Sequence, residues 1–183
     1  MSEKISLRML TVLAVLIAMQ IVLSRFASIS AWNVRIGLGF IPVAVSGILF
    51  GPAAGALVGA ISDVIGAILF PSGAFFPGFT LKAALSGALY GFVFSGFFRK
   101  RLAEGMPRQI VPPLIAALID QWILGFLLNT YFISVLYGSS FKGLLAVRSV
   151  QAAVMCVVQA ILLYVLQKIL MRPDIRKVLS RQH

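Results

Sequence analysis

Acidic residues are nearly missing from this chain. Its 183 residues include 16 Lys or Arg but only 5 Asp or Glu, and charged residues make up 11% of the total. A soluble domain carries about a quarter. Cysteine occurs once, at Cys156 within an apolar run, so no intrachain disulfide can form. The single histidine is the last residue, His183, which removes Cys/His zinc clusters and Ser-His or Cys-His triads from consideration. No lysine follows a glycine, so the G-x-x-x-x-G-K-S/T phosphate loop is absent and the chain by itself is no P-loop ATPase.

What the chain has in quantity is apolar surface: 60% of residues are hydrophobic and the mean hydropathy is +1.01. This balance excludes a soluble enzyme, a disordered tail and a disulfide scaffold, and leaves a polytopic membrane protein. The length is too small for two independent units, so residues 1–183 are read as a single transmembrane domain.

Six segments approach the roughly 20 apolar residues that a membrane-crossing helix needs. They are Leu7–Ser24, Val34–Phe50, Pro52–Phe70, Phe76–Phe98, Ile110–Leu136 and Gly143–Leu170. Gly51-Pro52 separates the second from the third, Pro71-Ser72-Gly73 and Pro77-Gly78 punctuate the next connection, and Gly138-Ser139-Ser140 marks the fifth. The expected fold class is an all-α integral membrane protein, a bundle of six transmembrane helices. With six spans both termini share one side, and that side holds eleven of the 16 cations. The other side or the membrane holds Arg25, Arg35, Lys82, Lys142 and Arg148. Both termini are therefore expected in the cytoplasm. The basic excess is a topology signal, not a nucleic-acid footprint, because the cations are divided among short loops. Lys4 and Arg8 precede a first apolar run that is long for a signal core and has no clear A-x-A site after it, so an uncleaved span is expected.

Small residues recur at helical spacing. Gly51, Gly55 and Gly59 form one stripe, and Ala83, Gly87, Gly91 and Ser95 another, both read as close helix packing. The next step of the first stripe is Asp63, which therefore points into protein. The first span carries Ala14 and Ala18 in an A-x-x-x-A pattern, open to internal packing or to an interface with another chain.

Ionisable residues inside a membrane are costly and mark function by default. Asp63, Arg35, Lys82, Arg148 and Arg25 all fall in the outer half. Lys82, Ser86 and Tyr90 share a helical face; so do Arg148, Gln151, Met155 and Gln159, and also Gln121, Gly125 and Asn129. Such stripes avoid lipid and face a common interior. Several helices aiming cationic and polar groups into one outward-opening cavity make a binding site for an anion. Two roles are open to Asp63: a buried pair with Arg35 or Lys82, or a ligand contact. Asp120, nearer the cytoplasmic end of its span, reads as a structural or partner-facing acid. Trp32, Phe75, Phe76, Tyr131 and Tyr137 fall near the outer ends, where an aromatic belt is common. The Pro/Gly-rich connection around Phe75-Phe76 can also cover a cavity and stack on a flat ligand.

Four runs resemble the substrate-binding S components of energy-coupling factor (ECF) vitamin transporters, most closely the folate-specific branch. They are Arg35-Ile-Gly-Leu-Gly-Phe-Ile-Pro42, Leu49-Phe-Gly-Pro-Ala-Ala-Gly55, Val58-Gly-Ala-Ile-Ser-Asp63 and Phe76-Pro-Gly-Phe-Thr-Leu81. The resemblance implies a non-enzymatic vitamin-binding subunit in a bacterial plasma membrane. It implies two sorts of partner, a transmembrane coupling protein and two ATPase subunits, with ATP consumed by the ATPases and no cofactor in this chain. It implies that Ala14 and Ala18 dock the coupling protein, that the subunit topples to deliver its vitamin, and that Arg25–Asn33 and Pro71–Pro77 are gating loops. Folate has a flat pterin, a benzoyl ring and a glutamate tail with two carboxylates. For such a ligand Asp63, Asn129 or Gln151 is expected at the pterin edge, Arg25, Lys82 and Arg148 at the tail or carbonyls, and Trp32, Phe76 and Tyr131 as stacking partners. Arg35 opens the second span beside them.

Three other readings remain. The first is the same machine for another water-soluble vitamin or a queuosine-type precursor. The second, a membrane enzyme acting on lipid or isoprenoid, needs an acid cluster or a nucleophile-base pair, and Asp63 and Asp120 lie on different spans at different depths. The third is a structural subunit without a ligand.

Overall fold

The computed structural model describes residues 7–26, 29–31, 34–71, 75–94, 110–138 and 141–170. Helix α1 spans Leu7–Arg25. A short antiparallel hairpin follows, β1 (Ile29–Ala31) and β2 (Val34–Ile36), with Ser30 opposite Arg35. Then come α2 (Phe40–Phe50), α3 (Pro52–Leu69) and α4 (Pro77–Phe94). Helix α5 runs without a break through an α-helical segment Val111–Leu118, a π-helical segment Ile119–Leu128 and a further α-helical segment Asn129–Tyr137. Helix α6 spans Phe141–Leu170.

The helix boundaries follow from local chemistry. Pro52 stands at the first position of α3, where its missing N–H costs nothing. Gly51 before it has φ +91° and ψ −179°, a conformation open in practice to glycine alone, and this bends α2 sharply into α3. Gly138 ends α5 at φ +63° in the left-handed cap conformation.

The expected second span, Val34–Phe50, is not one helix. Its first residues pair as β2, the Gly37–Gly39 stretch breaks the chain, and α2 is 11 residues long. That is about 16 Å at 1.5 Å per residue, roughly half the hydrocarbon thickness. Among the described residues, four helical stretches are long and apolar enough to cross a membrane: Leu7–Arg25, Pro52–Leu69, Val111–Leu136 and Arg148–Leu170. Their outward faces carry large exposed apolar side chains, among them Leu10, Val15, Val22, Val157 and Ile161. In water such surface would aggregate; against lipid tails it is the ordinary state. The protein is an all-helical integral membrane protein, with one small hairpin among the described residues.

The two small-residue stripes meet each other. A Cβ on Gly55 would lie 2.3 Å from the Gly87 carbonyl oxygen, and one on Gly59 would lie 2.3 Å from that of Ala83. The α3 and α4 backbones are therefore in direct contact, as close as small residues permit. Below them, Val58, Tyr90, Val93, Phe94, Ala116, Ala117 and Leu163 form the tightest packing. These come from the middle of α3, the second half of α4, the start of α5 and the second half of α6. The opposite end of the bundle, beside the hairpin, is left open.

Candidate substrate cavity

A cavity of about 580 Å³ occupies that open end, and each of the six helices among the described residues contributes to its wall. The volume lies within the range of about 300–1,000 Å³ found for small-molecule sites. Helix α1 supplies Gln20, Ser24 and Arg25, and the start of α2 supplies Phe40 behind Gly37 and Gly39. Helix α3 gives Ser62 and Asp63, and the following connection gives Phe75 and Phe76. Phe79 and Lys82 come from α4, Asp120, Gln121 and Ile133 from α5, and Gln151 and Met155 from α6.

The close α3–α4 contact sets the register of one polar pair. One turn beyond the Gly59–Ala83 contact, Thr80 Oγ1 donates to Asp63 Oδ2 at 2.8 Å. Lys82 is two residues on from Thr80, lines the cavity and has no hydrogen bond or ion pair among the described residues. Arg25 lies over Gly66, where an added Cβ would be 3.3 Å from Nη2. Gly66 thus makes room for the guanidinium one turn from Asp63.

The deep wall is a hydrogen-bonded cluster from α4, α5 and α6. Asp120 is 2% exposed and accepts from Ser86 Oγ at 2.5 Å, from Tyr90 Oη at 3.0 Å and from Gln159 Nε2 at 3.0 Å. Gln159 Nε2 also donates to Tyr90 Oη, and Gln121 Nε2 donates to Gln159 Oε1. Each buried polar atom in the cluster is satisfied by another, as burial away from water requires.

Aromatic rings close one side. Phe76, Phe79 and Phe132 make a triangle with centroid separations of 5.5–6.3 Å. Phe26 and Phe70 pair edge-to-face at 5.4 Å between the ends of α1 and α3. Phe75 is 55% exposed at the mouth.

Small ligand cavities that combine cations, buried acceptors and ring edges suit a flat organic anion. The comparison with known proteins names the class. A family model described as "ECF transporter, substrate-specific component" matches residues 8–167. The chain belongs to this family. It is 38% identical over 169 residues to the folate transporter FolT of Clostridium novyi (strain NT), spanning 92% of this chain and 93% of that protein. FolT of Leuconostoc mesenteroides subsp. mesenteroides is 32% identical over 108 residues, 56% of this chain and 58% of the relative. The fold also matches a solved structure, FolT bound with folic acid, at a TM-score of 0.77 and 28% identity over 91% of this chain and 96% of that one. The protein is thus a transport subunit and not an enzyme.

In this S component five residues singled out from the sequence come together at the cavity: Arg25, Asp63, Phe76, Lys82 and Gln151. Three do not. Asn129 lies at the junction of the π-helical segment and the second α-helical segment, off the cavity wall. Its stripe with Gln121 assumed α-helical winding, and i→i+5 turns rotate residues out of that register. Tyr131 is 57% exposed and its ring packs on Phe132 at 6.1 Å. Arg148 is half-buried between α5 and α6, with Nη1 3.4 Å from Thr130 Oγ1. Trp32 lies outside the described residues. Arg35 sits on β2, and its side chain lies outside them as well. Ala14 and Ala18 are both exposed on α1. Asp120, read from the sequence as a structural or partner-facing acid, is on the cavity wall with Gln121. Its signal was present in the Lys82, Ser86, Tyr90 stripe, whose last two members hydrogen-bond it.

Proposed function

We propose that this chain binds folate in the cavity and serves as the folate-specific S component of an ECF-type importer. The observation that carries this reading is the full-length similarity to FolT, including FolT bound with folic acid, together with a cavity of matching chemistry. The deep acceptors Asp120 and Gln121 suit the N–H edge of a pterin. Phe75, Phe76 and Phe79 suit its rings, and Arg25 and Lys82 suit the glutamate carboxylates.

The chain acts as one unit of six membrane helices with both termini in the cytoplasm of a bacterial cell, lodged in the plasma membrane. It carries no cofactor of its own. The exposed Ala14–Ala18 face of α1 meets the transmembrane coupling protein, and two ATPase subunits hydrolyse ATP to reset the toppled subunit. Uptake of labelled folate into vesicles tests the whole reading. Accumulation should require this chain, the coupling protein, both ATPases and ATP. Preference for an uncharged or cationic vitamin over folate would overturn it.

A further inference from the structure

The cluster around Asp120 has a polarity that chemistry forces. A carboxylate only accepts hydrogen bonds, so the end of Gln159 facing Asp120 must be its amide nitrogen, as found at 3.0 Å. The other end of that amide is then a carbonyl. Gln121, which meets it, must in turn present its own nitrogen. That leaves the Gln121 carbonyl oxygen as the end of its amide not held by Gln159; it lies beside Gly125, 3.4 Å from where a Cβ there would be, and Gln121 lines the cavity next to Asp120. Gln159 is fully buried and does not line the cavity, yet its two ends fix both neighbours.

We propose that Gln159 is a positioning residue that passes the polarity of Asp120 to Gln121, so that these two residues of the deep wall offer acceptors to a ligand edge made of N–H donors. The inference deepens the folate reading and rests on it. An apolar residue at 159 frees the Gln121 amide to turn over and present N–H groups to an N–H edge. A purely structural role for Gln159 has no such directional consequence.

The test is equilibrium titration of the purified full chain with folate and with pteroate, which keeps the pterin and lacks the glutamate. Gln159→Met should weaken both ligands tenfold or more, by equal factors, because the fault lies at the pterin end. Gln159→Glu, protonated where it faces Asp120 because two carboxylates cannot share that contact, keeps a donor toward Asp120 and an acceptor facing Gln121, and should stay within about threefold of the unmodified chain. If Gln159→Glu does not fold, the pair Gln121→Glu with Gln159→Met replaces it. That pair puts an acceptor at the cavity whatever residue 159 does, and it should bind more tightly than Gln159→Met alone. Unchanged affinity in Gln159→Met, unequal factors for the two ligands, or weaker binding in Gln159→Glu than in Gln159→Met would overturn the proposal. So would failure of the double variant to recover affinity. Absence of folate binding by the unmodified chain would overturn the folate reading and this inference together, whereas normal binding there with a failed variant series would overturn this inference alone.

Discussion

Thr80 donates to Asp63 across the α3–α4 contact at 2.8 Å, and it reaches that far because no side chain separates Gly55 from Gly87 or Gly59 from the Ala83 backbone. The packing stripe and the cavity wall are therefore one construction. A net hydrogen bond of this kind is worth about 0.5–1.5 kcal/mol. Thr80→Val should weaken folate binding by roughly two- to tenfold, with little change in unfolding temperature, read by titration and thermal unfolding in detergent.

Gly87 should tolerate no larger residue. A Cβ there would lie 2.0 Å from the Gly55 carbonyl oxygen, which belongs to backbone and cannot swing away. Overpacking costs typically about 1–3 kcal/mol and more where backbone must move. Gly87→Leu should lower the unfolding temperature clearly and weaken ligand binding with it, since Asp63 and Thr80 lose their register.

Lys82 and Arg148 should part company. Lys82 lines the cavity without a partner among the described residues, whereas Arg148 sits between α5 and α6 near Thr130. Lys82→Ala should weaken folate tenfold or more, with a smaller effect on pteroate. Arg148→Ala should leave folate affinity within about threefold of the unmodified chain.

Phe132 should govern how fast ligand leaves. Its ring holds Phe76 at 5.5 Å and Phe79 at 6.3 Å, and both of those line the cavity. Each such contact is worth about 0.5–1.5 kcal/mol beyond area burial. Phe132→Ala should raise the folate dissociation rate several-fold in a stopped-flow fluorescence measurement.

Much of this was legible in the residues because lipid imposes simple rules. Stretches of apolar residues locate most of the helices, and the small-residue stripes mark close packing faces and aim Asp63 inward, though only the structure shows that the two stripes meet. The hairpin was not legible, because Val34 and Ile36 are as apolar as the helix that follows and hydropathy does not distinguish strand from helix in a short run. The π-helical winding of α5 was hidden for a related reason: a change in turn width leaves composition untouched, yet it moves Asn129 off the wall. The place of Asp120 on the cavity wall was not read from the sequence, because its depth in the span was weighed and its partners were not. Ser86, Tyr90 and Gln159 come from two other helices, and only the packed bundle brings them to it.

Calorimetric titration of the purified chain with folate, alongside pteroate, addresses the central claim most directly. A cavity with cations at its mouth and acceptors at its depth predicts saturable one-to-one folate binding, and weaker binding of pteroate for want of the tail carboxylates. No saturable folate binding, or equal affinity for the two, would contradict it.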